Sequence, residues 1–157
     1  LFQKGCKHII MLSSSDEYTQ ACHKYYGMKR AAMEYGINFD RENDIINDLS
    51  IKTDYRNFFY NLMTKEEHPD GIFCNSEISS LGCVSGITDA GLVVNKDVYV
   101  ISSETSNLPA FYIPPVSGLR MDLYEIGTVL SSNLIKLIEG EDPSKLQFLK
   151  KATFCSR

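Results

Sequence analysis

Two polar clusters, each at the end of a short apolar run, are where this sequence could do chemistry. Asn75-Ser76-Glu77 follows Ile72-Phe73-Cys74, and Ser102-Ser103-Glu104 follows Val98, Val100 and Ile101. Carboxylates beside hydroxyls accept hydrogen bonds from hydroxyls or amines, as sugar and nucleoside sites require. Each acid also has a plainer reading, Glu77 as a first-turn acid favoured by the helix dipole and Glu104 as a solvated loop residue. Two further apolar runs end in polar groups, Ser14-Ser15-Asp16 and Asp48-Leu49-Ser50. Four strand ends with polar side chains favour a cleft for a small molecule.

Other chemistries lack their residues. There is no G-x-G-x-x-G and no G-x-x-x-x-G-K-[ST], so neither a dinucleotide nor a phosphate loop is indicated. There is no G-x-S-x-G nucleophile elbow. The five cysteines form no C-x-x-C pair and read as reduced, mostly buried thiols of a cytosolic protein. His8, His23 and His68 are not spaced with a second metal ligand or a nucleophile. No cofactor and no metal are expected, and the chain is not expected to be an enzyme.

The elements that must position these clusters follow from periodicity. Strands are expected at residues 8–12, 44–49, 72–74 and 98–101, with a short one at 152–155. Helix-spaced apolar residues run Tyr18, Cys22, Tyr25, Met28 and Ala32, ending at Gly36. Tyr55, Phe58, Phe59, Leu62 and Met63 make a second helix face that Thr53 could cap. Ile78, Leu81, Val84 and Ile87 make a third, stopping at Gly91. Gly82 and Gly86, four apart on that helix, point to a close helix contact. Residues 105–115 read as a loop. Asp122 and Glu125 resemble a capping box before a wide stripe of Ile126, Val129, Leu130, Leu134, Leu137 and Ile138, closed by Gly140. Strands and helices alternating at roughly 30-residue spacing argue for βαβ units and a parallel α/β sheet.

Composition sets outer limits. The 157 residues allow one domain with a real core, and the formal net charge of -4 gives no footprint for nucleic acid. No apolar run approaches the ~20 residues needed to span a membrane, and nothing at the N-terminus reads as a signal peptide. Leu1 is not an initiator methionine, and the opening LFQKG reads as the tail of a helix, so a piece of a longer protein is expected.

Taken in order, the motifs resemble the effector-binding domain of the LacI family of bacterial transcriptional regulators. Gly5-Cys6-Lys7-His8-Ile9 is similar to the family's G-H-x-x-I. Lys24-Tyr25-Tyr26-Gly27 falls at R-x-x-G. Asp70-Gly71-Ile72-Phe73 with Glu77 and Gly82 is similar to D-A-I-F…D-x-x-A-x-G, and Gly91-Leu92 with Asp97-Val98 to G-L-x-V-P-x-D-V. Residues 101–105 stand at I-G-Y-D-N, and Tyr112-Ile113-Pro114-Pro115 with Asp122 and Gly127 at P-x-L-T-T…G.

The resemblance implies a three-layer α/β/α sandwich with a mainly parallel sheet, of the type I periplasmic binding protein kind. It would be mostly the C-terminal lobe (residues 1–118 and 146–157), plus a helix within 119–140 that packs on the other lobe in the family. It also implies a small polar effector, a sugar by preference, a homodimer in the cytoplasm, and DNA contacts only through an N-terminal domain outside this chain. The alternative is the sugar-binding component of a transporter or chemoreceptor with the same fold. The ligand-facing positions implied are Ser14, Lys24, Leu49, Ser76, Glu77 and Glu104, with dimer contacts at Leu81 and Tyr112. At several of them this chain departs from the family. Lys24 replaces an arginine, Leu49 replaces an aromatic ring, both aspartates are glutamates, Ser80 replaces alanine, and Ser102-Ser103 replaces Gly-Tyr.

Overall fold

The computed structural model describes residues 1–14, 18–47 and 54–157. In chain order the elements are β1 (Ile9–Ser13), α1 (Thr19–Glu34), α2 (Arg41–Asp44), β2 (Ile45–Asn47), α3 (Tyr55–Met63), β3 (Gly71–Cys74), α4 (Glu77–Asp89), β4 (Tyr99–Glu104), β5 (Ser117–Arg120), α5 (Leu123–Ile138) and β6 (Thr153–Cys155). They build one six-stranded sheet in the order β2-β1-β3-β4-β5-β6. Every pairing is parallel except the last, where β6 runs antiparallel to β5.

β1 and β3 are neighbouring interior strands, and all their residues are buried. Their unbroken apolar runs suit strands covered on both faces. Asp70 locks their starting ends together, its carboxylate accepting from the backbone N–H of Lys7 and His8 at 2.9–3.0 Å. The core has two parts, one on each sheet face. Leu12, Phe59, Ile72, Ile87, Val98 and Val116 pack on the face covered by α3 and α4. Met11, Tyr25, Ala32, Phe39 and Phe73 pack on the face covered by α1. This is the three-layer α/β/α arrangement.

α3 and α4 approach each other closely because α4 carries glycines on the shared face. A Cβ at Gly82 would sit 2.3 Å from Tyr55 Cβ, and one at Gly86 would sit 2.6 Å from the Arg56 carbonyl oxygen. The close contact expected from the glycine spacing is present. Arg56 and Asp89 add an ion pair across the same two helices.

Most expected elements form within a few residues of their expected places. Asp54 caps α3, accepting from Asn57 N–H at 2.9 Å, while Thr53 lies outside the described residues. Asp122 accepts from Glu125 N–H at 3.0 Å, the half of a capping box that holds the start of α5. β5 is the element that periodicity did not indicate. Only Leu119 in Ser117-Gly118-Leu119-Arg120 is a large apolar residue, so the segment has no apolar run. No disulfide joins the five cysteines, and Cys6, Cys74 and Cys83 are buried. Among the described residues no helix is long and apolar enough to cross a membrane.

α5 differs from the other long helices. None of its residues is buried, and Leu123, Tyr124, Leu130, Leu134, Ile135, Leu137 and Ile138 are exposed. Such a face is larger than scattered surface apolar residues require and marks a contact surface.

Candidate functional site

In a doubly wound sheet, neighbouring crossovers leave opposite faces where the strand order reverses, and the gap at the carboxyl ends is where ligands bind. Here β1 has β2 on one side and β3 on the other, which places that point at the ends of β1 and β3. A cavity of about 610 Å³ opens there, within the usual range for small-molecule sites. Its polar lining comes from Ser14 after β1, Gln20 and Lys24 on α1, Asn75 after β3, and Ser103 and Thr105 at the end of β4. Leu119, Met121 and Leu123 supply apolar wall from β5 and the start of α5. A hollow of about 470 Å³ lies by Leu1, Tyr99 and Ser117, at the opposite ends of the strands. An apolar groove of about 340 Å³ runs along α1 past Met28, Ile101 and Phe154.

Ser14 and Lys24, both expected at a ligand site, are brought together at this cavity. Leu49 lies outside the described residues, as do Ser15, Asp16, Asp48 and Ser50. Ser76 caps α4 instead. Its hydroxyl accepts from Ser79 N–H at 3.1 Å, and Ser79 Oγ accepts from Ser76 N–H at 3.2 Å. The side chain is thereby engaged in closing the helix end.

Glu77 opens α4, and its carboxylate reaches sideways to the loop after β4. Its Oε1 accepts from Thr105 N–H at 3.0 Å, Ser106 N–H at 2.7 Å and Ser106 Oγ at 2.9 Å. Its backbone carbonyl accepts from Tyr112 Oη at 2.6 Å. Glu77 therefore holds the loop that carries Thr105 rather than lining the cavity itself.

Glu104 departs furthest from expectation. Its side chain is 0% exposed and is neither in solvent nor on the cavity wall. Oε1 accepts from Arg120 Nε at 2.9 Å and from Arg157 Nη2 at 3.0 Å, and Oε2 accepts from Arg157 Nη1 at 3.0 Å. The two-point contact from Arg157 is the fork geometry that suits a carboxylate. Gly118 makes room for it, because a Cβ there would sit 2.8 Å from Glu104 Oε2. Burial alone would push the Glu104 carboxyl up. Hydrogen bonds from Arg157 and the nearby Arg120 charge outweigh burial, so it titrates below its ordinary value. The physical reason for the departure is strand alternation: Ser102 and Glu104 share the face toward α4, while Ser103 points the other way.

Leu81 is exposed on α4, as a contact surface requires, but Tyr112 is 6% exposed and donates inward to Glu77. The exposed side chains beside it are Phe111 and Ile113. Gln20, Asn75, Ser103 and Thr105 are cavity residues that sequence reasoning did not select individually. Asn75 and Ser103 sit inside the two clusters it did select, and the period-two alternation of β4 was the available signal for Ser103.

A mainly parallel α/β lobe with its cavity at the strand ends defines a ligand-binding domain. The chain belongs to the periplasmic binding protein-like domain family, whose model matches residues 1–155.

It is 26% identical over 147 residues to the HTH-type transcriptional repressor PurR of Glaesserella parasuis, covering 92% of this chain and 43% of that protein. It is 24% identical over 141 residues to the HTH-type transcriptional repressor CytR of Escherichia coli, covering 90% of this chain and 41% of that protein. Among solved structures, the transcription regulator CcpA of Lactococcus lactis matches with a TM-score of 0.85 at 23% identity, covering 99% of this chain and 56% of that one. The resemblance to the LacI-family effector-binding domain is supported by these matches, and the relatives named are repressors and regulators rather than enzymes. The chain spans less than half the length of the curated relatives it matches.

Proposed function

We propose that this chain is the C-terminal lobe of the effector-binding domain of a LacI-type transcriptional regulator. The observation that carries this reading is the cavity at the β1/β3 switch point, whose polar lining among the described residues is neutral groups and one lysine. It would take a small polar effector, such as a sugar or related metabolite, between this lobe and a second one. Ser14, Lys24, Asn75 and Ser103 are the side chains placed to meet it, with Glu77 and Glu104 bracing the wall. The exposed apolar face of α5 supports a second lobe, since Leu130, Leu134 and Ile138 need a cover.

The effector would favour one lobe arrangement, and that shift would alter DNA binding by a domain outside this chain. The regulator would act in the cytoplasm, in keeping with five cysteines that form no disulfide. Exposed Ile78, Leu81, Phe111 and Ile113, from α4 and the turn beside it, form the surface proposed for a second copy.

A thermal-shift screen of the whole regulator against sugars, nucleosides and related polar metabolites tests this. At least one compound is expected to raise the melting temperature in a saturable way, since 100 times Kd of a ligand that binds only the folded state adds about 2.7 kcal/mol. A flat response across a broad panel would remove the sensor reading.

A further inference from the structure

Among the described residues, Lys24 is the only charged one lining the cavity at the strand ends. Among the described residues no aspartate or glutamate pairs with it. The two described acids at the ends of β3 and β4 are engaged elsewhere. Glu104 is enclosed by Arg120 and Arg157, and Glu77 is held by Thr105 and Ser106. Lys24 also borders the apolar groove along α1, and it is only partly exposed. Partial desolvation lowers its pKa, as for a partly buried cation with no counter-charge beside it. The other polar groups of the wall, Ser14, Gln20, Asn75, Ser103 and Thr105, are neutral.

We infer that the effector carries an anionic group, a carboxylate or a phosphate, that pairs with Lys24, while the neutral wall groups bind its hydroxyls. An isolated ammonium in a partly dry wall favours a ligand that brings negative charge over its neutral counterpart. A lysine also suits a single anionic group better than the hydroxyl pairs that a planar guanidinium grips.

This inference rests on the effector-sensor reading and is tested separately from it. The whole regulator is titrated with matched pairs: glucose against glucuronate and glucose 6-phosphate, ribose against ribose 5-phosphate, and adenosine against adenosine monophosphate. At least one anionic member is expected to bind about tenfold or more tightly than its neutral partner, the scale of one charged hydrogen bond. Lys24→Met is expected to erase that preference, and Lys24→Arg, which keeps the charge, to retain it. The carboxylate and phosphate arms show which anion the site takes. Neutral members binding as tightly as anionic ones would overturn the inference and leave the sensor reading standing. An anionic preference that survives in Lys24→Met would overturn it too. Binding by no member of any pair would count against both.

Discussion

Replacing Glu104 with alanine is expected to destabilise the folded domain by about 3–5 kcal/mol, the range for breaking a buried ion pair from one side. The loss is large because the carboxylate is fully buried and receives hydrogen bonds from Arg120 and Arg157 together. Without it, two guanidinium groups face each other across an empty space, with Arg157 only 11% exposed. The contact also ties β4 to β5 and to the residues after β6, so its loss loosens that edge of the sheet. Glu104→Gln keeps the volume but not the charge and is expected to fall between wild type and Glu104→Ala. Urea unfolding followed by circular dichroism reads both variants.

The pH dependence has a definite sign. The folded carboxyl titrates below its ordinary value, so its contribution is fully present above the unfolded glutamate pKa of ~4.3. That contribution is lost as pH falls through that value toward the lower folded one. The stability difference between wild type and Glu104→Gln is therefore expected to be constant near neutral pH and to shrink below about pH 4. A Glu104→Ala protein as stable as wild type would mean that the ion-pair cluster does not form.

Gly86→Ala is expected to lower stability by about 2–3 kcal/mol, toward the upper end for overpacking. The added Cβ would sit 2.6 Å from the Arg56 carbonyl oxygen, 2.7 Å from Phe59 Cβ and 2.7 Å from Tyr60 N. Two of these are backbone atoms of α3, which cannot swing aside as a side-chain tip can, so the helices must separate. Separation opens the core at Phe59 and Ile87, both fully buried. The effect runs against helix propensity, which favours alanine over glycine by about 1 kcal/mol. Gly127→Ala in α5 is the matched control, since nothing lies within 4 Å of its added Cβ. In the isolated chain it is expected to be neutral or stabilising by up to about 1 kcal/mol. Equal destabilisation by the two substitutions would contradict the packing argument.

The sheet was legible where strands were apolar runs and the helices where apolar residues kept a 3.6-residue period. β5 was not, because Gly118 is selected by the Glu104 carboxylate lying over it, a contact invisible to any local pattern. The site was legible only in part. The polar clusters expected after β3 and β4 do lie at those strand ends, but spacing could not tell which member faced the cavity. Ser103 does and Glu104 does not, because neighbouring strand residues face opposite ways and because Arg120 and Arg157 lie far along the chain from Glu104.

The two serines that replace small residues of the family prove to be partners. Ser80 Oγ and Ser102 Oγ lie 2.9 Å apart in the buried space between α4 and β4. Each also has a backbone carbonyl within reach, Glu77 O at 2.8 Å from Ser80 Oγ and Ser103 O at 3.2 Å from Ser102 Oγ, so both buried hydroxyls are satisfied.

The central claim is that the cavity at the ends of β1, β3 and β4 is the effector site. The most direct measurement is calorimetric titration of the whole regulator with its best-binding panel compound, repeated with Ser103→Trp. Ser103 is half-buried on the cavity wall, so an indole there fills the space a ligand needs while the opposite, Glu104-bearing face of β4 is left intact. The account predicts saturable binding by wild type and at least a hundredfold weaker binding by a folded Ser103→Trp protein. Wild-type affinity in that variant would place the effector elsewhere and contradict the account.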